Sequence, residues 1–213
     1  MRQVRSWFLA VSLLVAATIV APAQNTPSSA FEENRTYFWT ADLQHSSIMF
    51  ETGHWGVVDV VGWFEDYEVK VRSRKLDFSD ALVEVRINPA SVRMPNPAMA
   101  ANLRNLFFQV QQFPEVSFQS TRVDAGNKNN HLRLSGQLTM KGVTHELVLD
   151  LSFNGYGSPP QGAPGFKLRG TLNRLDFGVG EMELMDGTGH PMVDAEVRLI
   201  CNIRLEFVRS EWD

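Results

Sequence analysis

The sequence predicts an all-β fold, an extended eight-stranded antiparallel barrel with one α-helix between its strands. From Val193 to Val208, apolar residues alternate with mostly polar ones over 16 residues, and a period of two is typical of a strand with one buried face. At about 3.3 Å per residue this strand extends over roughly 50 Å, whereas an ordinary strand has about 5–6 residues. A closed barrel tilts its strands and accommodates such a length, while a sandwich of short strands does not need it. Because the inner positions of the predicted strands carry almost no charge, the pattern predicts an elongated tube with an apolar lining.

Residues 1–23 are predicted to be a cleaved secretory signal. Arg2 and Arg5 flank the start of the apolar run "WFLAVSLLVAATIV", and the small residues "APA" before Gln24 fit a cleavage site. A membrane anchor is the alternative, but the uncharged run falls near or below the about 20 apolar residues that a span needs. We therefore expect an exported protein, either periplasmic or secreted.

The rest of the chain is predicted to be one domain. A flexible leader, residues 24–36, precedes a barrel domain over residues 37–208, and residues 209–213 form a C-terminal tail. Without the two arginines of the signal, 18 basic residues stand against 24 acidic ones, a net charge of −6. Because nucleic acid usually calls for a basic face, we expect no nucleic-acid partner. A chain of this length buries about 70% of its unfolded surface and needs no disulfide.

Seven further strand segments precede the long terminal strand, and each is rich in β-branched, aromatic or alternating apolar residues. They are residues 45–53, 57–72, 82–88, 116–123, 131–140, 146–153 and 166–177. Leu138 and Leu149 occupy apolar positions of two of these segments and are expected to face the interior. Cys201, the only cysteine, occupies an apolar position of the terminal strand, where a buried, inert thiol is expected.

One segment, residues 97–114, changes from the strand period to helical spacing of its apolar residues. Asn96 fits the N-cap, with a proline at the first helical position, and Pro114 is expected to end the segment. Phe107 and Phe108 are adjacent and therefore point in different directions on the helix. We expect one of them to seal the barrel and the other to contact a ligand.

Two surface features have both a functional and a structural explanation. The basic run "KVRSRK", from Lys70 to Lys75, can meet anionic lipid head groups, although charge runs are usually only solvated faces. Thioethers with an imidazole suit Cu(I), but methionine is also a common filler of flexible apolar loops. The residues concerned are Met182, Met185, His190 and Met192. We predict no metal and no cofactor.

Four separated stretches resemble one known family, in the order that the family has them. The first, "YFWTADLQHSSIMFETGHWGVVDVVGWFEDYE", resembles the opening of the YceI-like, lipocalin-like polyisoprenoid-binding proteins. The others are "NLRNLFFQVQQFPEVSFQST", "LSGQLTMKGVTHELVLDL" and "NRLDFGVG", and together they extend from roughly Tyr37 to Phe207. The resemblance implies a lipocalin-like barrel that holds a long-tailed isoprenoid, either a quinone or a prenyl phosphate. Related exported proteins are often linked to stress response or to quinone-using membrane partners, and related barrels often pair as homodimers. The basic run is the feature from which we expect transient contact with a membrane surface.

The helix segment departs from the family pattern. Where the family has a histidine, a serine and two aspartates, this chain has Asn102, Asn105, Leu106 and Gln109. The segment has thus lost an imidazole and two carboxylates, and we expect it to be a neutral lid. Binding of an apolar tail does not depend on these groups.

The predicted ligand-binding residues combine the inward-facing positions with those of the family motifs. They are His45, Phe50, His54, Trp63, Phe107, Phe108, Phe118, Leu138, Leu149 and Phe177. Neutral imidazole both donates and accepts hydrogen bonds, so the two histidines can bind a head group. The alternative is that they tie adjacent turns together.

The function predicted from these observations is binding and transport of an apolar lipid, without catalysis. The sequence has no Gly-x-Ser-x-Gly elbow, no His-Glu-x-x-His pair and no phosphate-binding glycine loop. The alternative is a structural or stress-response interaction protein whose barrel is filled by its own side chains. A continuous cavity that opens near the helix would separate the two.

Overall fold

The computed structural model describes residues 34–126, 131–157, 162–180 and 192–212. The predicted signal and most of the leader lie outside the described residues, as do Met182, Met185 and His190. The strands, in chain order, are β1 (Arg35–Ala41), β2 (Ser47–His54), β3 (Val58–Phe64), β4 (Tyr67–Ser73), β5 (Leu82–Ile87), β6 (Val92–Arg93), β7 (Val116–Ala125), β8 (His131–Met140), β9 (Val143–Tyr156), β10 (Pro164–Asn173) and β11 (Val193–Trp212). The helix α1 (Pro97–Asn102) lies between β6 and β7. No helix among the described residues is long and apolar enough to span a bilayer.

Strand β11 closes the barrel because both of its edges are paired. One of its edges pairs with β10. The other edge pairs with β2 up to Asn202 and with β1 from Leu205 to Trp212. Since β1 and β2 follow one another along the same edge, they form one wall strand that is interrupted between Ala41 and Ser47.

The next two wall strands are interrupted in the same way. β3 pairs with β2 while β4 pairs with β1, and β6 pairs with β3 while β5 pairs with β4. The remaining pairs run in order from β5 through β7, β8, β9 and β10. The eleven strand segments therefore make eight antiparallel wall strands, which confirms the predicted barrel.

Both ends of the barrel domain extend beyond the bounds that the sequence predicted. β11 has 20 residues, which corresponds to roughly 65 Å at about 3.3 Å per residue. Arg35 pairs with Trp212 and Thr36 with Glu211. The end of the predicted leader and most of the predicted tail are thus paired with each other as strands.

The helix is shorter than predicted. The Asn96 side chain accepts a hydrogen bond from Ala98 N at 2.9 Å and caps α1 as expected. A π-helical turn, Leu103–Phe107, follows α1, and Gln109 then has a left-handed φ of 52°. The helical path therefore ends before Val110, whose apolar side chain reaches the core from a turn.

Candidate functional site

A cavity of about 760 Å³ occupies the barrel interior. Ligand pockets typically measure about 300–1,000 Å³, so the space is large enough for a lipid tail. Its lining consists mainly of Leu, Val, Ile, Phe and Met side chains from the inner faces of the wall strands. The barrel is therefore hollow, which argues against the filled-barrel alternative.

Aromatic side chains close one end of the barrel, which we call the closed end. Phe78 lies on the loop between β4 and β5, is only 3% exposed and has a left-handed φ of 58°. Its ring centroid lies 5.8 Å from that of Trp39, 5.7 Å from Phe153 and 4.9 Å from Phe166. A left-handed backbone is strained for a phenylalanine, on the order of 1–3 kcal/mol. The loop holds that conformation with the ring packed inside the barrel.

Polar contacts anchor the loop that carries Phe78. Asp80 accepts hydrogen bonds from Ser73 Oγ at 2.6 Å and from the backbone N–H groups of Arg74 and Lys75, each at 3.2 Å. Burial by itself would raise the pKa of the Asp80 carboxyl, but these hydrogen bonds outweigh it and lower the pKa. The Tyr156 hydroxyl donates to the carbonyl of Leu76 on the same loop at 3.0 Å, and burial raises its pKa so that it remains a donor.

The opposite end of the barrel, which we call the mouth, is more polar. Leu106 lines the cavity and is also 64% exposed, so the cavity meets solvent beside the helix. The polar lining residues at this end are Thr52, His54, Asn102, Asn105, Gln109, Lys141 and Arg174. Their donors face one end of an otherwise apolar space, an arrangement that suits a long ligand with an apolar tail and a polar head.

Arg174 organises the backbone at the mouth and was missed as a site residue. It is 4% exposed, and its guanidinium donates to the carbonyls of Asp194 at 2.9 Å, Val193 at 2.8 Å and Val179 at 2.7 Å. The same group lies 5.8 Å from the ring centroid of Phe107. The sequence held a signal for it, since Arg174 begins the "RLDFG" stretch of the family resemblance.

Lys141 was also missed by sequence reasoning. It lies in the tight turn between β8 and β9 with a left-handed φ of 49°, followed by Gly142 at 77°. Its Nζ donates to the carbonyl of Gly178, and the side chain lines the cavity. Because the predicted strand ends one residue earlier, periodicity gave no reason to place this lysine at the site.

Seven of the ten predicted residues line the cavity, namely Phe50, His54, Phe107, Phe108, Phe118, Leu138 and Leu149. Phe107 and Phe108 both belong to the lining, although we expected only one of them to contact a ligand. Phe108 packs against Phe64 with ring centroids 6.0 Å apart. Ligand contact by these residues stays a prediction.

The other three predicted residues, His45, Trp63 and Phe177, are not among the lining residues. Trp63 alternates with Gly62 and Phe64, and it is Phe64 that lines the cavity. Strict alternation along β3 could have identified Phe64. Phe177 is buried beneath His145, with ring centroids 5.1 Å apart.

His45 ties the interruption between β1 and β2, as its structural alternative anticipated. Its Nδ1 lies 2.6 Å from Asp42 Oδ2, and the guanidinium of Arg204 donates to the same carboxylate. The backbone N–H of Gln44 donates to Oδ1 at 3.0 Å. Burial would raise the pKa of Asp42, but the hydrogen bonds from His45, Arg204 and Gln44 lower it.

Two glycines make room for aromatic residues of the lining. A Cβ atom at Gly62 would lie 2.2 Å from the ring of Phe50, and one at Gly136 would lie 2.4 Å from the ring of Phe118. Each ring thus lies flat across a glycine of the neighbouring strand. The centre of the barrel stays open because the rings cover the wall.

Cys201 is a free cysteine that lines the cavity. Burial raises the pKa of its thiol to about 11. The thiolate is the reactive form, so this cysteine is protonated and unreactive at neutral pH, as its position in the sequence indicated.

The described residues contain no group of three or more His, Cys, Asp and Glu side chains that could hold a metal ion. Of the predicted Cu(I) alternative, only Met192 lies in the described part, and it lines the cavity. The alternative itself therefore stays open.

Comparisons with known sequences identify related proteins. A family model described as YceI-like domain matches residues 39–205. A UPF0312 protein from Staphylococcus aureus strain N315 is 30% identical over 164 residues, which cover 75% of this chain and 92% of that protein.

Solved structures share the fold. BcnA from Burkholderia cenocepacia matches with a TM-score of 0.67 and 18% identity, over 77% of this chain and 98% of that one. A YceI protein from Campylobacter jejuni matches with a TM-score of 0.60 and 23% identity, over 74% and 90% of the two chains. A polyisoprenoid-binding domain from Saccharophagus degradans matches with a TM-score of 0.60 and 12% identity, over 80% and 98%.

Proposed function

The chain belongs to the YceI-like family, and from this premise we propose that it binds and carries a long apolar lipid of the isoprenoid type inside its barrel. The cargo is a quinone or a prenyl phosphate. The observation that carries the proposal is an apolar cavity of about 760 Å³ with a closed aromatic end and a polar mouth. A tail fits the lining, and a head group fits the mouth.

The energetics favour a carrier rather than a permanent binder. Each buried methylene contributes about 0.8 kcal/mol relative to water, so a long tail binds strongly against water without polar contacts. A bilayer is already apolar, however, and moving the tail from bilayer to barrel is therefore nearly neutral. Selection among lipids then rests on the shape of the cavity and on the head group.

Head-group recognition rests on neutral donors together with one lysine. The amides of Asn102, Asn105 and Gln109 donate to carbonyl or phosphate oxygens, and all three side chains are exposed at the mouth. Helix α1 has no charged residue, whereas the turn after it has Arg104, whose guanidinium donates to the carbonyl of Val92 at 3.1 Å. The ammonium of Lys141 has three donors and uses one on Gly178, so further donors remain for an anionic or carbonyl head.

Export and membrane contact belong to the same proposal. A signal over residues 1–23 would deliver the protein to the periplasm or the exterior, where it would meet the membrane surface transiently to collect or release lipid. N-terminal sequencing of the exported protein should begin at Gln24. We propose no catalytic step.

Pairing of two copies is also part of the proposal. Phe207, Val208 and Trp212 expose apolar side chains on the second half of β11, with exposed fractions of 55%, 51% and 65%. Such residues suit the centre of a homodimer interface. Light scattering at several protein concentrations measures the oligomeric state directly.

A matched pair of variants tests lipid binding. Val85 faces the cavity, while its neighbour Glu84 on β5 is exposed on the outside. Val85→Trp should fill part of the cavity and lower the amount of bound lipid that mass spectrometry finds after organic extraction. Glu84→Trp introduces the same ring on the outer face and should leave the lipid content unchanged.

Thermal melts establish that both variants are folded. Equal lipid content in the two folded variants, or the absence of any lipid in the wild type even after incubation with a long-chain quinone and a prenyl phosphate, would refute the proposal. The second result would favour an interaction protein without lipid cargo.

A further inference from the structure

The mouth is bordered by exposed apolar side chains, which we call the mouth rim: Trp55, Val57, Val58 and Leu106. Their exposed fractions are 42%, 80%, 56% and 64%. The first three form the tip of the β2–β3 hairpin, and Leu106 belongs to the turn that follows α1. Three of these exposed side chains lie within four residues of the chain, and Leu106 lies at the same end of the barrel, so together they mark an interaction surface rather than scattered surface residues.

A chain of contacts places the hairpin tip and the helix at the same end of the barrel. Trp55 N donates to the carbonyl of Met192 at 2.9 Å. The next residue, Val193, accepts from Arg174 at 2.8 Å, and the Arg174 guanidinium lies over the ring of Phe107, beside Leu106. The rim is also continuous with the cavity, because Leu106 belongs to both.

The backbone conformation of Trp55 does not explain why a tryptophan occupies this turn. Trp55 has a φ of 59° and Gly56 a φ of 62°, so both central residues of this hairpin turn are left-handed. Such turns strongly prefer Asn-Gly, since asparagine tolerates this region and bulky residues do not. The chain nevertheless has a tryptophan here, packed edge-on against His54 with ring centroids 5.9 Å apart. The turn is strained and displays an indole beside the mouth.

The chemistry of the rim fits the interfacial layer of a phospholipid bilayer. Tryptophan concentrates at membrane interfaces because its ring is apolar and its N–H is polar, and valine and leucine suit the acyl region just below. The nearest charged residue on the hairpin, Asp59, is bound by Arg198 at 2.6 Å. The basic run from Lys70 to Lys75 leads instead to the closed end, into the loop that carries Phe78.

We infer that the mouth rim docks the barrel onto a phospholipid bilayer by apolar insertion, with its mouth towards the membrane, and not by attraction to anionic lipids. This inference rests on the proposed function, since a lipid carrier needs its opening at the lipid source. Docking in this orientation places the exposed face of Leu106 between the acyl chains and the cavity. The tail then has an apolar path from bilayer to barrel.

The test is flotation of the full-length mature protein with vesicles of pure phosphatidylcholine. The double variant Trp55→Asn/Val57→Ser removes the apolar tip and installs the residue that the turn prefers, so the fold is retained. We expect vesicle partitioning to fall about tenfold or more, as expected for loss of inserted apolar area. The control Leu43→Ser removes an apolar side chain that is 56% exposed in the interruption between β1 and β2, away from the mouth, and should change nothing. Adding phosphatidylglycerol to the vesicles, or adding salt, should also have little effect.

Three results would overturn the inference. The first is equal partitioning of the double variant and the wild type, and this includes the absence of binding by either. The second is binding that requires phosphatidylglycerol and is released by salt, which would assign the contact to cationic side chains, those of the basic run or Lys141 at the mouth. The third is a dimer that the double variant dissociates while vesicle binding stays the same, which would assign the rim to a second copy of the chain.

Loading from detergent separates this inference from the proposed function. Both the wild type and the double variant should take up lipid from detergent to the same level, because the rim is not needed for occupancy of the cavity. If neither protein takes up lipid by this route, the proposed function fails. If both do while vesicle binding is insensitive to the rim, only the docking inference fails.

Discussion

The ring of Phe78 packs edge-on against the ring of Phe166, with centroids 4.9 Å apart and planes at 86°. Phe78 comes from a loop and Phe166 from the start of β10, so the contact joins the loop to the wall across the end of the barrel. The contact gives the cavity a floor and leaves the mouth beside the helix as the entrance. Within the part of the chain that the structure describes, the cavity is closed at this end, so we expect a ligand to enter and leave at the mouth.

Removal of the floor should weaken both the fold and the retention of cargo. Phe78→Ala deletes a buried ring, and such truncations typically destabilise a protein by about 3–5 kcal/mol. The Cβ atom that strains a left-handed backbone remains in alanine, so relief of strain does not offset this loss. Urea unfolding measures the stability, and stopped-flow transfer of a fluorescent prenyl lipid measures its release, which we expect to be faster. Ser79→Ala on the same loop is the control. Unchanged release from folded Phe78→Ala would contradict the closed end.

Gly62 should be needed for cavity volume rather than for the turn or strand itself. In Gly62→Ala the new methyl group would lie 2.2 Å from the Phe50 ring, and the ring must move into the barrel. We expect less lipid bound per chain, measured by extraction and mass spectrometry. Gly165→Ala in β10, where no atom lies within 4 Å of the new Cβ, is the matched control. A full lipid load in folded Gly62→Ala would show that Phe50 does not border the occupied space.

Asp80 should make the closed end sensitive to acid. Its pKa is lower in the folded protein than in the unfolded chain. In acid the unfolded chain therefore binds more protons, and the free energy of unfolding decreases as the pH decreases. The contribution is complete above the unfolded value of about 3.9 and disappears as the pH falls through the lower folded value. Asp80→Asn should therefore lower the free energy of unfolding at pH 6 and reduce its decline below pH 4, as followed by urea titration. An equal decline of the free energy of unfolding in the two proteins would show that Asp80 does not cause the acid sensitivity. The decline that remains in Asp80→Asn is expected from Asp42, whose pKa is also lowered.

Lys141 should discriminate between head groups. Lys141→Met keeps the length of the side chain and removes the ammonium, so binding of a prenyl phosphate should weaken more than binding of a quinone. Charge-assisted hydrogen bonds contribute about 1.5–3 kcal/mol, and exposure at the mouth places the expected loss at the lower end, roughly tenfold in Kd. Lys167→Met, on the exposed outer face of β10, is the control. Equal losses for the two lipids would place the head group away from Lys141.

The alternation of apolar residues was sufficient to predict the barrel, the long terminal strand and most of the lining. It fails where the chain leaves the strand period, as at Lys141 in a turn and Phe78 in a loop. Both reach the cavity through left-handed backbone positions that are rare for these residues. The interruption at Asp42 was also invisible, because the contact found there is with Arg204, which is 162 positions away.

The bounds of the elements show the same limit. Val110 continues the helical spacing of the preceding residues, yet it reaches the core from a turn, so its spacing alone indicated too long a helix. Trp212 lies beyond the regular alternation, and its place in the barrel depends on pairing with Arg35 at the other end of the domain. Trp63 was predicted as a ligand-binding residue because of the family motif. The alternation of inward and outward side chains along β3 indicates instead that Phe64 faces the cavity.

Native mass spectrometry of the mature protein, before and after incubation with a long-chain quinone or prenyl phosphate, tests the hollow barrel most directly. We expect one lipid bound per chain in the wild type and in Glu84→Trp, and little or none in Val85→Trp. A wild-type mass that never includes a lipid, or a full load in folded Val85→Trp, would contradict lipid binding in the cavity.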